Sequence, residues 1–416
     1  MQRPKILFVS TRAPYPLTNG HNQRTFNILS QVAVFADIAF FGFYDKGTSI
    51  GGKTTVRQKL KEICSHTHLE EVPDETSSIK TAKGLMLALN DKRPYVARKY
   101  LSETMREAIQ QFVGHTSVDI VHLDMLPLAE YLPILSDFPI LLTTHNVEST
   151  RLKLWSEAER NPARRLYLRW QYQKMKEYEA RILQQLHYCV VVSEEDRSYF
   201  QQLNPECRIF IVPNGTDTRW FSPQPRQGRQ RPTILWVGNM IDPYNRSGVR
   251  FFTERVFRSI VAAVPNVRWL IVGKGAPKSL GKLCREYPGS IEIAGFVDDV
   301  RPFYDTANVV IVPLVSGAGT KLKVIEALAM GKSIVTTTVG AEGLSVSHGE
   351  NIYIADDAAA FADHVVEALS DSDLQSAIGK QARMLAIGKY DWRTIGKAQI
   401  KAYEAATPGA FTECVE

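Results

Sequence analysis

The 416-residue chain lacks most of the features that assign a protein at sight. No apolar run approaches the roughly 18 residues of a membrane-spanning helix. The opening "MQRPKILFVSTRAPYP" holds only Ile6 to Val9 before polar residues and prolines, too little for a secretory leader, so a soluble cytoplasmic protein is expected. Cysteine is scarce: Cys64, Cys189, Cys207, Cys284 and Cys414 are scattered, odd in number and without C-x-x-C spacing, which argues for free thiols over disulfides or a zinc cage. There is no low-complexity tract and no fixed-period repeat, so neither disorder nor a solenoid is indicated. Two phosphate signatures are also missing. Gly317-Ala318-Gly319 is not G-x-x-x-x-G-K-[ST], and "VGKGAP" at 272–277 is not G-x-G-x-x-G. The D-x-D that a metal-dependent transferase needs at a strand end occurs only as Asp371-Ser372-Asp373, late in a helical stretch.

What is present is a globular composition, 44% hydrophobic and 23% charged, at a length that favours two domains. "KILFVS", "IAFFGF", "DIVHL", "ILLTTHN", "YCVVVS" and "CRIFIVPNG" are short runs apolar on both faces, separated by helical stretches. The first of these stretches, "NGHNQRTFNILSQVAVFA", places Phe26, Ile28, Leu29 and Val32 at helical spacing. After "FSPQPRQGRQRP" the rhythm restarts with "TILWVGN", "RWLIVGKG", "IEIAGFV", "VVIVPL" and "SIVTTTVG". This alternation predicts an α/β protein of two doubly wound, Rossmann-like domains, 1–222 and 232–390, with Phe221 to Pro232 as an exposed hinge. Ligands of such sheets sit at the carboxyl ends of the strands, so the site is expected in a cleft where the two sheets face each other.

In "SGAGTKLKVIEALAMG" (316–331), Leu322, Ile325, Leu328 and Ala329 share a helical face and Gly331 is placed to end the helix. Gly317 and Gly319 let a backbone approach a ligand, and the free N–H groups of a first helical turn hold phosphate. Lys321 and Lys323 add charge; a lysine about 4 Å from a phosphate contributes roughly 4 kcal/mol at an effective dielectric near 20, before desolvation. The same glycines and lysines also fit a plain loop and a solvated helix end.

Their company decides between these readings. "VPNGTDTRWFSP", "LWVGN", "LIVGKG", "IAGFVDDVRPFYDTANVVIVPL" and "EALAMGKSIVTTTVGAEGL" resemble, in order and spacing, the carboxyl-terminal half of the family four GT-B glycosyltransferases, in the G-x-G-T-[KR]-[LI]-K variant. The resemblance spans essentially the whole chain. It implies a retaining enzyme that moves a hexose from a nucleoside-diphosphate sugar to a glycan or lipid-linked acceptor, in bacterial polysaccharide or cell-surface glycan synthesis, with no cofactor and no metal. It further implies that Glu326 binds the ribose, that amides around Leu322 and Lys323 cradle the diphosphate with Gly319, Thr320 and Lys321, and that Phe296 and Val297 border the base. A second glutamate common in the family is replaced by Ala318. The family's arginine and lysine after the first strand of this half are also absent; after Gly238 stand Asn239, Asn245 and Arg246, and Arg246 with Lys321 is expected to supply the charge.

On the amino-terminal side the resemblance makes Gly20 part of a glycine-rich loop, with Arg24 one turn into the helix. "DIVHLDM" aligns with the family's H-x-H, putting His122 first and Asp124 second. Retention steered by the leaving phosphate requires no strong base, so Asp124 would orient a hydroxyl or stabilise an oxocarbenium-like centre. His122 equally fits a buried structural role. "TTHNVES" sets His145, Asn146 and Glu148 at a strand end, facing either an acceptor or their own loop.

The net charge of +6 is concentrated: residues 151–181 hold nine basic residues against four glutamates, +5, leaving +1 for the rest. Read as one helix with Trp155, Leu166 and Trp170 among its cations, this segment suits peripheral contact with an anionic inner membrane, or simply a solvated face. No nucleic-acid reader motif appears. Two other readings share a two-domain architecture: a nucleotide-sugar 2-epimerase and a non-catalytic sugar-binding protein.

Overall fold

Among the described residues every strand pairing is parallel, so each strand is fed by a crossover; the central strands are buried on both faces, while the edge strands are partly exposed. The computed structural model describes residues 3–17, 19–44, 52–72, 91–224 and 231–411. The first sheet is built from β1 (Lys5–Ser10), β2 (Asp37–Tyr44), β3 (His66–Glu71), β4 (Ile120–Asp124), β5 (Ile140–Thr143), β6 (Tyr188–Val191) and β7 (Arg208–Ile211), in the order β3-β2-β1-β4-β5-β6-β7. The second holds β8 (Thr233–Val237), β9 (Arg268–Val272), β10 (Ile291–Gly295), β11 (Val309–Val312), β12 (Ser333–Thr336) and β13 (Tyr353–Ile354), ordered β10-β9-β8-β11-β12-β13. Both are doubly wound. Their order reverses between β1 and β4 in one and between β8 and β11 in the other, the crevice positions where such sheets bind ligands.

The chain forms two compact units. One comprises Met1–Pro213 with Ile395–Glu416, the other Asn214–Thr394. Of the expected hinge, residues 225–230 lie outside the described residues. The amino-terminal unit is centred on Leu7, Val9, Phe41, Phe43, Val121, Leu123 and Leu142, all buried. In the other, Trp236, Trp269 and Phe252 fill one side of the sheet, while Val310, Val312, Ile325 and Leu328 fill the other. Cys64, Cys189, Cys207 and Cys284 are free thiols; Cys414 lies outside the described residues.

Three expectations need correction. The basic segment is two helices, Glu148–Ala158 and Pro162–Leu183, not one. Asn161 caps the second, accepting from Arg164 N, and Pro162 at its first position cannot continue the hydrogen-bond ladder of the first. Asp371 of the D-x-D likewise lies between two helices: its carboxylate accepts from Asp373 N and Leu374 N, which is a helix cap. In the helix Gly20–Val32, Phe26 is only half-buried, whereas Asn22, Arg24 and Thr25 are buried with Ile28, Leu29 and Val32. The inward stripe of that helix turns polar toward its amino end.

Candidate active site

A polar constellation stands at the carboxyl end of each sheet. In the amino-terminal unit, Ser10 ends β1, Asp124 ends β4, and the two are register partners. Asp124 collects donors from three elements: Ser10 Oγ at 3.1 Å and Thr25 Oγ1 at 2.8 Å meet Oδ2, and His145 Nε2, just beyond β5, meets Oδ1 at 2.7 Å. His21 lies against the same carboxylate, its Nε2 3.9 Å from Oδ2 and its ring stacked on that of His145 at 4.6 Å.

Burial by itself raises the Asp124 carboxyl, but the adjoining His145 outweighs it and holds the group well below the usual carboxylate range. An anionic carboxylate only accepts, so the hydrogen in this contact sits on His145 Nε2. Burial, reinforced by His145, takes His21 down to about 3, so it is neutral near pH 7. Arg24 is buried too. Burial lowers it to about 10 while Asp124 pulls it upward, and its Nη1 donates to Pro213 O at 2.7 Å.

His122 is removed from the list of substrate contacts. Its ring is buried against Phe8 at 4.3 Å, with Nδ1 engaged by Tyr403 Oη at 2.5 Å and Nε2 by Thr143 Oγ1 at 2.8 Å. Burial takes it to about 3, so it is a neutral brace beneath Asp124, tying β4 to the helix Trp392–Ala406. Glu148 opens the helix Glu148–Ala158 and pairs with Arg151 Nη1 at 3.3 Å, while Asn146 is half-buried in the loop before it. Gly20 begins its helix under the cap of Asn19, whose side chain accepts from Asn22 N at 3.0 Å. Among the described residues His21, Asp124 and His145 form one trio of potential metal ligands, their nearest atoms within 4.8 Å of one another. The direct His145–Asp124 hydrogen bond and the nearby Arg24 charge already compensate that carboxylate.

In the carboxyl-terminal unit the helix Leu322–Ala329 receives no side-chain cap at its amino end. It shares this with the helices starting at Tyr95, Glu148 and Arg301, whereas those starting at Gly20, Glu194, Ala358 and Ser372 are capped by Asn19, Ser193, Asp357 and Asp371. Its first amides are thus left for an anion. Gly319, at φ 74°, turns the loop into it through a conformation that favours glycine. Thr320 Oγ1 beside it is buried without a hydrogen-bond partner. One turn along, Glu326 Oε2 accepts from Tyr304 Oη at 3.4 Å, and burial raises its carboxyl to about 7 against the pull of Lys323.

The cations are arranged differently from expectation. Lys321 Nζ turns back to Gly319 O and to Glu342 Oε2 at 3.2 Å. Arg246, in the helix Pro243–Phe251, donates to Met240 O at 3.2 Å and Ile241 O at 3.3 Å in the loop before it. Lys323 Nζ stands over the end of β8 and donates to Asn245 Oδ1 at 2.6 Å; burial lowers it to about 8. Asn239 Oδ1 accepts from Ile241 N at 3.1 Å. Phe296 is 63% exposed beneath Lys274 Nζ, 4.2 Å from its ring centroid, and Val297 is half-buried.

Sequence reasoning passed over Ser10, His21 and Thr25, and named Asn245 without giving it a role. The signal for two of them was the helical spacing of His21, Arg24 and Thr25, which continues the stripe of Ile28, Leu29 and Val32.

Residues 70–220 match the family described as Glycosyltransferase Family 4, and residues 231–371 the one described as glycosyl transferases group 1. A Klebsiella pneumoniae protein described as an uncharacterized 44.6 kDa protein in the cps region is 22% identical over 87% of this chain and 90% of its own. The phosphatidyl-myo-inositol mannosyltransferase of Mycolicibacterium smegmatis is 26% identical over 47% of this chain, and that match spans about half of the mannosyltransferase, 52%. Among solved structures, sucrose-phosphate synthase from Thermosynechococcus elongatus superposes with a TM-score of 0.68 at 20% identity, over 97% of this chain and 99% of that one. Anabaena HepE in complex with UDP does so at 0.66 and 14% identity, over 96% and 100%. Likeness at these identities carries the fold.

Proposed function

Because the chain belongs to the group 1, family 4 glycosyltransferases and has their GT-B fold, we propose that it transfers a hexose from a nucleoside-diphosphate sugar to a glycan or lipid-linked saccharide, with retention and without a metal. The observation that carries this reading is the uncapped amino end of the helix Leu322–Ala329, with Glu326 one turn deeper. Amide dipoles and a cation suit a diphosphate, and a carboxylate one turn on suits ribose hydroxyls. The HepE structure was solved with UDP, which supports a nucleotide on this half.

The amino-terminal constellation takes the acceptor. Asp124, anionic and fixed by three donors, accepts from a sugar hydroxyl and orients it. In retention the departing phosphate removes the hydroxyl proton, so Asp124 stays ionised and stabilises positive charge at the anomeric centre. The names of the mannosyltransferase relatives and of a lipopolysaccharide 1,2-N-acetylglucosaminetransferase from Salmonella typhimurium support a lipid-linked acceptor. Among the described residues no helix is long and apolar enough to cross a membrane. The hairpin of Glu148–Ala158 and Pro162–Leu183 instead exposes Trp155 (38%) and Leu166 (70%) beside Lys153, Arg160, Arg164 and Arg169, a surface suited to anionic lipid.

A thermal-shift series with UDP-, GDP- and dTDP-glucose, each with and without EDTA, tests the donor half. One base is expected to raise the midpoint by several degrees, since ligand at about 100 times Kd adds about 2.7 kcal/mol. EDTA should leave the shift unchanged. No shift with any of the three would overturn the reading.

A further inference from the structure

Resting on that reading of the carboxyl-terminal unit, we propose that Lys323 supplies the cation for the donor's diphosphate and that Asn245 is the residue that positions it. Arg246 has a different task.

The geometry separates the three. Lys323 lies in the first turn of the helix whose amides face the anion, and its ammonium is carried back over the carboxyl end of β8. It stands 5.0 Å from the centroid of the Trp236 ring, which supports it from one side. A Cβ at Gly238 would fall 2.6 Å from Lys323 Nζ, so the glycine is what leaves room for the ammonium there. Asn245 holds it by a hydrogen bond. The Asn245 amide has one orientation that chemistry allows: Nδ2 donates to Asn239 O at 2.9 Å, and Oδ1 accepts from Lys323 Nζ at 2.6 Å. Asn245 is the one hydrogen-bond partner of this ammonium among the described residues, which leaves other N–H donors of Lys323 for phosphate oxygens. A neutral amide holds the lysine without cancelling its charge, as a carboxylate would. The Arg246 guanidinium, by contrast, is turned into the Met240 and Ile241 carbonyls and stabilises the loop itself. Lys321 is neutralised by Glu342. The charge that the loop after β8 does not direct at the ligand thus arrives from the helix.

The test titrates UDP, GDP and dTDP into the full chain by calorimetry, with the matching nucleosides measured by competition. For the base that binds, Lys323→Met should weaken the diphosphate about 30-fold, as expected for a lost hydrogen bond to a charged group, and barely affect the nucleoside. Asn245→Ala should weaken it about 5-fold, and Asn245→Asp more than Asn245→Ala, because the new carboxylate competes for the ammonium. In turnover Lys323→Met should raise KM for the nucleotide sugar as well as lower kcat, whereas a loss of folded protein lowers apparent kcat alone, and Lys323→Arg should recover part of both. The inference is overturned if Arg246→Ala weakens the diphosphate selectively while the Lys323 and Asn245 variants do not. If the parent binds neither nucleotide nor nucleoside, the proposed function falls with it, which separates the two failures.

Discussion

The two polar constellations occupy equivalent places, at the carboxyl ends of doubly wound sheets beside the point where strand order reverses, yet they are electrically opposite. In the amino-terminal unit the groups are locked: Asp124 is held far below its usual range, and burial keeps His21 and His122 neutral at about 3. In the carboxyl-terminal unit they are poised, with Glu326 raised to about 7 and Lys323 lowered to about 8. A locked carboxylate suits a group that must stay ionised beside positive charge developing at a sugar carbon. A poised cation suits a phosphate that arrives, gains charge as its ester bond breaks and then leaves. The difference teaches that the same fold position can be tuned to a fixed or to an exchangeable charge by what surrounds it.

The strongest way to break the comparison is Asp124→Asn. Losing the anion while keeping the side chain's shape should lower kcat about 1,000-fold, within the range for electrostatic groups at reacting centres, and leave nucleotide affinity unchanged. Nucleotide affinity that falls with kcat would mean that Asp124 serves the donor instead. Glu326→Gln should do the reverse. It should weaken nucleotide binding about 10- to 100-fold by degrading the hydrogen bonds to ribose, with a smaller effect on kcat once the site is saturated. Calorimetry and steady-state kinetics on the two variants read both effects.

These two sites were not equally legible in the sequence. The carboxyl-terminal one is nearly continuous: a single stretch from Gly317 to Glu326 carries the loop, the helix start and the carboxylate, so chain order reveals it. Tyr304, Trp236, Gly238 and Asn245 come from elsewhere, and nothing about an asparagine in the short helix Pro243–Phe251 betrays that it holds a lysine 78 positions away. In the amino-terminal unit each donor to Asp124 comes from a different element, and parallel pairing alone sets Ser10 beside Asp124. The strand ends that bear Asp124 and His145 could be read from their apolar runs, whereas His21 and Thr25 depended on recognising buried polar positions in a helix. His122 shows the converse. Two residues from Asp124 in a motif that resembles H-x-H, it could be exposed or buried, and Thr143 and Tyr403 settle which.

A pH series sharpens the contrast between locked and poised groups. Affinity for the nucleotide sugar, whose diphosphate diester does not titrate in this range, should rise as pH passes about 7, because ionised Glu326 is the better acceptor of ribose hydroxyls. It should fall as pH passes about 8, because Lys323 then loses its charge. The groups that act on Lys323 are Glu326 and Asp242, which favour its charged form, and Lys321, which opposes it. The span should be about 5- to 10-fold, with Lys323→Met abolishing the alkaline limb. Asp124 and His21 do not titrate in that interval, so kcat for bound substrate should be flatter. A kcat that follows the binding profile would show that the amino-terminal groups are not locked.

The smallest expected effect concerns the surface that the amino-terminal unit alone carries. Arg151 lies 4.5 Å from the Trp155 ring centroid and Lys174 3.7 Å from that of Trp170, so both cations are held against aromatic faces that favour a membrane interface. Each surface cation near anionic lipid adds about 1 kcal/mol, so Arg164→Glu should reduce co-sedimentation with phosphatidylglycerol vesicles about 5-fold or more, and added salt should mimic the change. Trp155→Ala and Leu166→Ala should each cost about 2- to 5-fold, with little salt dependence, because they remove apolar contact and not charge. Activity on a water-soluble acceptor should be unaffected by all three, since none touches Asp124 or Glu326. Equal binding to neutral and anionic vesicles would leave the hairpin as a solvated face, and the cationic excess of 151–181 would then serve solubility instead of the acceptor.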